Sequence, residues 1–171
     1  MKIRLSAALL LALSFARIDS ARADLPFPLG HEIADSVLVV KSERKLYLLK
    51  AGQILKAMEI FLGPMPRGAK SREGDFRTPE GRYLLDGRKA DSDYFLSIHI
   101  SYPNDADRAL AHKQRLDPGG NIMIHGEPNE PHYSPPHYKG DWTDGCIAVS
   151  NADMLDLWLM TRDSTPIEIR P

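Results

Sequence analysis

Cysteine occurs once in the 171-residue chain, at Cys146, and a His125-Gly126 pair lies 21 positions upstream of it. A thiol attacks a carbonyl only as thiolate, and a free cysteine with a pKa of about 8.5 is mostly protonated at neutral pH. A neighbouring imidazole that takes the proton is the usual remedy. His125 closes the apolar run Ile122 to Ile124, and Cys146 opens the apolar run Ile147 to Val149. Each of the two groups therefore sits at the end of a short strand-like segment. Gly126 removes a side chain where a substrate or the cysteine loop would need close approach. Gly145 can take backbone angles closed to other residues, and a glycine beside a nucleophile lets backbone N–H groups converge on a developing oxyanion. The chemistry these residues could perform is acyl transfer through a thioester.

The residues alone leave other readings open. A lone cysteine cannot form an internal disulfide, so Cys146 is an intermolecular cross-link, a buried inert thiol or a nucleophile. In the inert case Cys146 is a small core residue at the edge of a strand and His125 a satisfied turn histidine. A third grouping collects His125, His132, His137, Asp141 and Cys146 as metal ligands. Its intervals do not match the usual short ligand pairs, and a bound zinc would occupy the thiolate.

The elements that must position these groups are mostly strands. From Ser36 to Leu62, short β-prone runs alternate with turn chemistry: Val37 to Val40, the charged corner Lys41 to Lys45, Leu46 to Leu49, the turn at Lys50-Ala51-Gly52, then Ile54 to Leu62. This pattern predicts an antiparallel meander. The Gly63 to Gly68 segment and the Glu73 to Gly81 segment are rich in Pro and Gly and read as two rigid loops framing a feature. Arg82 to Leu85 and Tyr94 to Ser101 resume strand character, with Leu96, Ile98 and Ile100 on one face and Ser97, His99 and Ser101 on the other. Asn104 or Asp105 can cap a short helix through about Arg115, which Pro118-Gly119-Gly120 ends. After Cys146, Ser150 and Asp153 approximate a capping box, and Met154, Leu157 and Trp158 form a helical apolar stripe that places Trp158 in the core. Thr165 to Arg170 is a last alternating strand with Ile167 and Ile169 inward. The expected class is mainly β with short helices, in a single domain.

Length fits one domain with a real core. Met1 to Ala23 joins Lys2 and Arg4 to the apolar run Leu5 to Phe15 and the small-residue site Ala21-Arg22-Ala23, which reads as a secretory signal peptide, with cleavage favoured over retention as an anchor. Its apolar run is short for a membrane span, so no stable span is expected after cleavage. Residues 24–35 then form an N-terminal linker, and residues 36–171 the domain. Removing the signal's four basic and one acidic side chains changes 22 basic against 23 acidic residues into 18 against 22. No basic run or face points to nucleic acid or a membrane surface.

His125-Gly126 followed by Trp142-Thr143-Asp144-Gly145-Cys146-Ile147-Ala148-Val149 resembles the active-site signature of the L,D-transpeptidase (YkuD) catalytic domain family. Its pattern is His-Gly, a variable loop, then Ser/Thr-x-Gly-Cys. The stretch Glu73-Gly74-Asp75-x-Arg77-Thr78-Pro79-Glu80-Gly81-x-Tyr83 resembles the preceding loop of the same family. The resemblance spans roughly Ser36 to Ile169 and implies a β-rich sandwich or barrel. It also implies a periplasmic enzyme in which Cys146 is the nucleophile, His125 the acid/base, and Thr143 to Gly145 the orienting and oxyanion segment. The implied substrate is a peptidoglycan tetrapeptide stem, cut between meso-diaminopimelate and D-Ala. Another stem or a wall-attached lipoprotein would supply the resolving amine, and no metal or organic cofactor is implied. Gly126, Trp142, Asp144, Tyr133, Tyr138 and Arg77 are the candidate substrate contacts. Trp142, Tyr133 and Tyr138 would serve as a groove wall, with packing an equal reading for Trp142. Lys70, Arg72 and Arg77 are possible partners for stem carboxylates, although basic loop residues are commonly solvated.

The sequence departs from the common family form at Asp144, where many members have His, and at Ala148, where many have Arg. Losing that Arg removes a fork that could hold a carboxylate. In this it resembles a subgroup related to enzymes that cut the peptidoglycan–lipoprotein bond, so hydrolysis at the same thioester stands beside transfer. A non-catalytic peptidoglycan-binding module is the alternative from another class, although a binder needs neither His125 nor Cys146.

Overall fold

A computed structural model describes residues 32–130 and 140–171. The expected signal peptide and the loop residues Tyr133, Tyr138, His132 and His137 lie outside the described residues. Among the described residues, eight strands and two helices follow in chain order: β1 (Ser36–Val40), β2 (Lys45–Lys50), β3 (Gln53–Glu59), β4 (Gly81–Ser92), β5 (Phe95–Ile100), α1 (Asp105–Gln114), β6 (Met123–His125), β7 (Ile147–Ala148), α2 (Asn151–Met160) and β8 (Thr165–Arg170). The strands form one sheet in the order β3-β2-β1-β8-β4-β5-β6-β7. Just beyond β3, Phe61 exchanges backbone hydrogen bonds with Ala148 of β7, at 2.8 and 2.9 Å. That bridge ties the two ends of the sheet, which curls into a half-barrel.

The expected meander is present as antiparallel β1-β2-β3. Alternation supplies its inner face: Val37, Val39, Leu46, Leu48 and Met58 are buried, and Ile98, Ile100, Ile124, Ile147, Ile167 and Ile169 complete the core from the other strands. Two pairings are parallel, β1 with β8 and β6 with β7. Parallel neighbours need a crossover of a dozen or more residues. The loop between Gly126 and Cys146 supplies it for β6 and β7. Packing also begins before the expected boundary at Ser36, since Ala34 is buried and its N–H donates to Met160 O at 2.8 Å.

Strand β4 runs to Ser92, well past the expected end at Leu85. Its outer half, Asp86 to Asp91, is polar and does not alternate. Pairing with β5 carries it, with register shifts near Gly87 and beyond Lys89. Arg88 also donates to Trp158 O at 2.8 Å and Thr161 O at 2.7 Å, fastening the hairpin to the end of α2. Trp158 is only half-buried against the core, with the Arg88 guanidinium 5.0 Å from its ring centroid. Asn104 caps α1 with Asp107 in a reciprocal capping box, and Arg115 ends it in a left-handed conformation at φ 57°. In α2, Ser150 Oγ accepts from Asp153 N–H at 3.1 Å.

The two Pro/Gly loops frame a buried ammonium. Lys41, 2% exposed, donates to Gly68 O at 2.8 Å, Thr78 O at 3.2 Å and Glu80 Oε1 at 2.8 Å. Burial pushes its pKa down, and Glu80 pulls it back up. A lysine in such a place is tolerated because all three ammonium protons find acceptors. Replacing Lys41 by Met leaves two carbonyls and a carboxylate without their donor. It is expected to cost about 3 kcal/mol of stability, read as a lower urea midpoint at unchanged slope. A midpoint equal to the wild type's would refute this account of the loops.

Candidate functional site

The β6–β7 ladder places the imidazole and the thiol together. Ile124 is in register with Ile147 and His125 with Ala148, so Cys146 continues the pairing opposite Met123. Side chains of one parity along the two strands share a face. His125 and Cys146 are therefore diagonal neighbours on it, and both line a cavity of about 430 Å³ with Lys89, Ser92, Asp93, Tyr94, Ser97, Met123, Trp142, Thr143 and Asp144. Met123 N–H donates to Cys146 Sγ at 3.4 Å, and the thiol donates to Asn121 O at 3.7 Å.

His125 Nδ1 lies 2.8 Å from Gly126 O. A carbonyl can only accept, so the proton sits on Nδ1 and Nε2 is left as the basic nitrogen. The ring is 5% exposed and lies 4.5 Å from the Tyr94 ring and 5.6 Å from the Trp142 ring, which themselves stack at 6.0 Å. Burial pushes the His125 pKa down, and the Gly126 carbonyl opposes this. Burial likewise pushes the Cys146 thiol up, helped by the Asp144 charge and opposed by Met123 N–H and the Lys70 charge. Both shifts favour the uncharged forms, which suits general-base activation of the thiol.

Gly126 has a packing duty the sequence did not suggest. A Cβ there would lie 2.5 Å from Asn151 Oδ1 and 3.1 Å from Tyr94 O. The close neighbours are thus the β4–β5 turn and the start of α2, not the cysteine loop. Its N–H donates to Tyr94 O and Leu96 O at 3.1 Å each, and the peptide carrying its carbonyl, which orients His125, is held by Glu127 N–H donating to Asn151 Oδ1 at 2.8 Å. Gly145 has φ +120°, and a Cβ on it would lie 2.7 Å from Arg77 O. Both facts require glycine.

Thr143 braces the cysteine loop. Its hydroxyl donates to Cys146 O at 2.7 Å and accepts from Gly145 N–H at 3.3 Å, while its own N–H donates to Leu62 O at 2.9 Å. Thr78 Oγ1 donates to Gly145 O at 3.0 Å. Two N–H groups of the expected oxyanion segment are thereby engaged. Among the described residues, the N–H groups of Asp144 and Cys146 meet no acceptor, which makes them the better candidates. Asp141 anchors the loop's start through paired bonds from Arg44 at 3.1 and 2.6 Å and one from Leu62 N–H at 2.9 Å.

Of the other expected contacts, Trp142 and Asp144 line the cavity with Cys146 and His125. Arg77 does not: its side chain lines a separate cavity on the far side of the cysteine loop, because its carbonyl is the part turned towards Gly145. Lys70 is buried, bonding Asp75 at 3.0 Å and Arg72 O at 2.9 Å, so its ammonium is engaged within its own loop. Tyr94, Ser97 and Lys89 are cavity residues that sequence reasoning missed. Ser97 was expected on a polar face and is in fact buried, facing His125 in the β5–β6 register. Nothing local to these residues marks them, since pairing across the sheet brings them in. Among the described residues, no three His, Cys, Asp or Glu side chains are placed to hold a metal ion, and no helix is long and apolar enough to cross a membrane.

The family profile of the L,D-transpeptidase catalytic domain, YkuD, matches residues 34–169. A curated relative, the putative L,D-transpeptidase YafK of Escherichia coli strain K12, is 37% identical over 97 residues, covering 53% of this chain and 37% of that protein. The helical cell shape determining protein Pgp2 from Campylobacter jejuni superposes with TM-score 0.58 at 27% identity, over 78% of this chain and 46% of that one. An Enterococcus faecium L,D-transpeptidase shares the fold at TM-score 0.51 and 16% identity, over 83% of this chain and 51% of that one. The matches thus span about half or less of these relatives' lengths. The chain belongs to the L,D-transpeptidase catalytic domain family.

Proposed function

We propose that the chain is a cysteine-dependent L,D-transpeptidase acting on peptidoglycan tetrapeptide stems in the periplasm. The observation that carries this reading is the shared cavity, in which His125 has its Nδ1 pinned to Gly126 O and its Nε2 left to take a proton from Cys146. The thiol turns from Asn121 O towards Nε2 as substrate enters, a tightening common when a resting site is loaded. Sγ then attacks the carbonyl between meso-diaminopimelate and D-Ala while Nε2 takes the thiol proton. The oxyanion is met by the N–H of Cys146 and that of Asp144. Collapse breaks the C–N bond, the imidazolium returns its proton to the departing D-Ala amine, and a thioester remains. An incoming amine, from another stem or a lipoprotein, gives its proton to Nε2 and displaces Sγ.

Water could take the place of that amine. The observation favouring this second reading is Ala148: both its backbone N–H and C=O are bonded to Phe61, and no guanidinium fork stands two residues after the nucleophile. Product masses with and without an added amine distinguish transfer from hydrolysis. A role in cell shape is what the Pgp2 description says of that protein; for this chain it belongs to the same proposal. Secretion rests on the signal-like Met1 to Ala23 segment.

Cys146→Ala is expected to abolish the thioester adduct with a tetrapeptide stem while circular dichroism stays native. His125→Ala should lower kcat/KM by about 10²–10⁴-fold, the usual worth of a positioned general base. Normal turnover by either variant would defeat the assignment. The base must be unprotonated to act, and burial lowers the His125 pKa. Activity should therefore persist into more acid solution than an ordinary imidazole allows, with the acid limb of kcat/KM below about 6.5. A limb at or above that value would contradict a desolvated base.

A further inference from the structure

The peptide between Gly145 and Cys146 carries one of the two N–H groups assigned to the oxyanion, and its carbonyl end is gripped from a neighbouring loop. Thr78 Oγ1 donates to Gly145 O at 3.0 Å, from a residue that is 0% exposed. Thr143 braces the peptides on either side, its hydroxyl accepting from Gly145 N–H and donating to Cys146 O. Neither of those bonds reaches the peptide between them. Among the described residues, the Thr78 hydroxyl is the one hydrogen-bond partner that this peptide has.

The peptide is trans, so it is planar with its N–H directed opposite to its C=O. Fixing the Gly145 carbonyl on Thr78 therefore fixes the line along which Cys146 N–H points. Gly145 itself offers little restraint, since glycine has the widest choice of backbone angles. A donor on the carbonyl also polarises the peptide and strengthens the N–H at its other end. Thr78 is firmly seated for this task, because its own carbonyl accepts from Lys41 Nζ at 3.2 Å. It does not line the catalytic cavity and so acts without touching the substrate.

We propose that Thr78 is a positioning residue for acyl transfer, aiming Cys146 N–H at the oxyanion through the Gly145–Cys146 peptide. The inference rests on the thioester reaction above and adds to it a residue from outside the cysteine loop. Thr78 takes no part in making the thiolate, which is the work of His125. A methyl group in place of its hydroxyl cannot donate and stands further from the oxygen, leaving the peptide free to rotate.

The test compares two reactions of one sulfur in Thr78→Val, Thr78→Ala and Thr78→Ser. Acylation by 4-nitrophenyl acetate forms an S–C bond, breaks the ester C–O bond, releases 4-nitrophenolate and passes through an oxyanion, while the thiol proton goes to Nε2. Alkylation by iodoacetamide displaces iodide at a saturated carbon and forms no oxyanion. Loss of a whole oxyanion donor costs about 10²–10³-fold, so loss of its aim should slow acylation roughly 10- to 100-fold in the valine and alanine variants, with Thr78→Ser restoring most of the rate. Alkylation reads how readily the thiol ionises, and should stay within about twofold of the wild type with an unchanged pH profile. Equal slowing of both reactions would reduce Thr78 to a support of the fold and overturn the proposal. Undiminished acylation without the hydroxyl, a serine variant as slow as the valine one, or failure of both hydroxyl-free variants to fold would each overturn it as well. A wild type acetylated at Cys146 by the ester but not acylated by a tetrapeptide stem would sink the reaction on wall stems, and the split between acetylation and alkylation would still decide the role of Thr78.

Discussion

The parallel pairing of β6 with β7 is the constraint on which the site depends. Residues 21 apart in the chain become diagonal neighbours only because Ile124 meets Ile147 and His125 meets Ala148. A slip of one residue between the two strands would turn one of the two chemical side chains to the opposite face and part them. Three bonds outside the two-residue ladder guard that register. Val149 N–H donates to His125 O at 3.0 Å, and Phe61 grips Ala148 from the other flank. The buried isoleucines on the reverse face add the apolar penalty for any slip.

The second layer of control lies in the loops. Lys41 gathers Gly68, Thr78 and Glu80 around one ammonium, and Thr78 in turn holds Gly145. The cysteine loop is therefore positioned from a buried charge among the Pro/Gly loops, through two hydrogen bonds in series. Thr143 and Asp141 fasten the same loop to Leu62. Little is left for the backbone around Cys146 to choose.

Much of this was legible in the sequence, and the rest was hidden for definable reasons. The β1-β2-β3 meander, both helices and β8 follow from alternation, capping residues and helical spacing, all local signals. His125 and Cys146 stood out because of their residue types and flanking glycines. The outer half of β4 did not, because Asp86 to Asp91 is held by its partner strand and by Arg88, neither visible in local pattern. Tyr94, whose ring packs tilted against the imidazole, lies 31 positions before it, and only the β5–β6 register brings them together. Arg77 was placed with the thiol on its loop's sequence neighbourhood, but the backbone turns its carbonyl, not its side chain, towards Gly145. Lys41 reads as part of a charged corner and is among the most buried side chains, which no local pattern announces.

The bridge between Phe61 and Ala148 has a consequence for how such a protein can diversify. Ala148 is held on both flanks by main-chain bonds, to Phe61 on one side and along the ladder with His125 on the other. Its side chain is also enclosed, at 1% exposure, so the position takes a small residue unless its neighbours repack. The second position beyond the sulfur can therefore change only in company with the residues packed upon it.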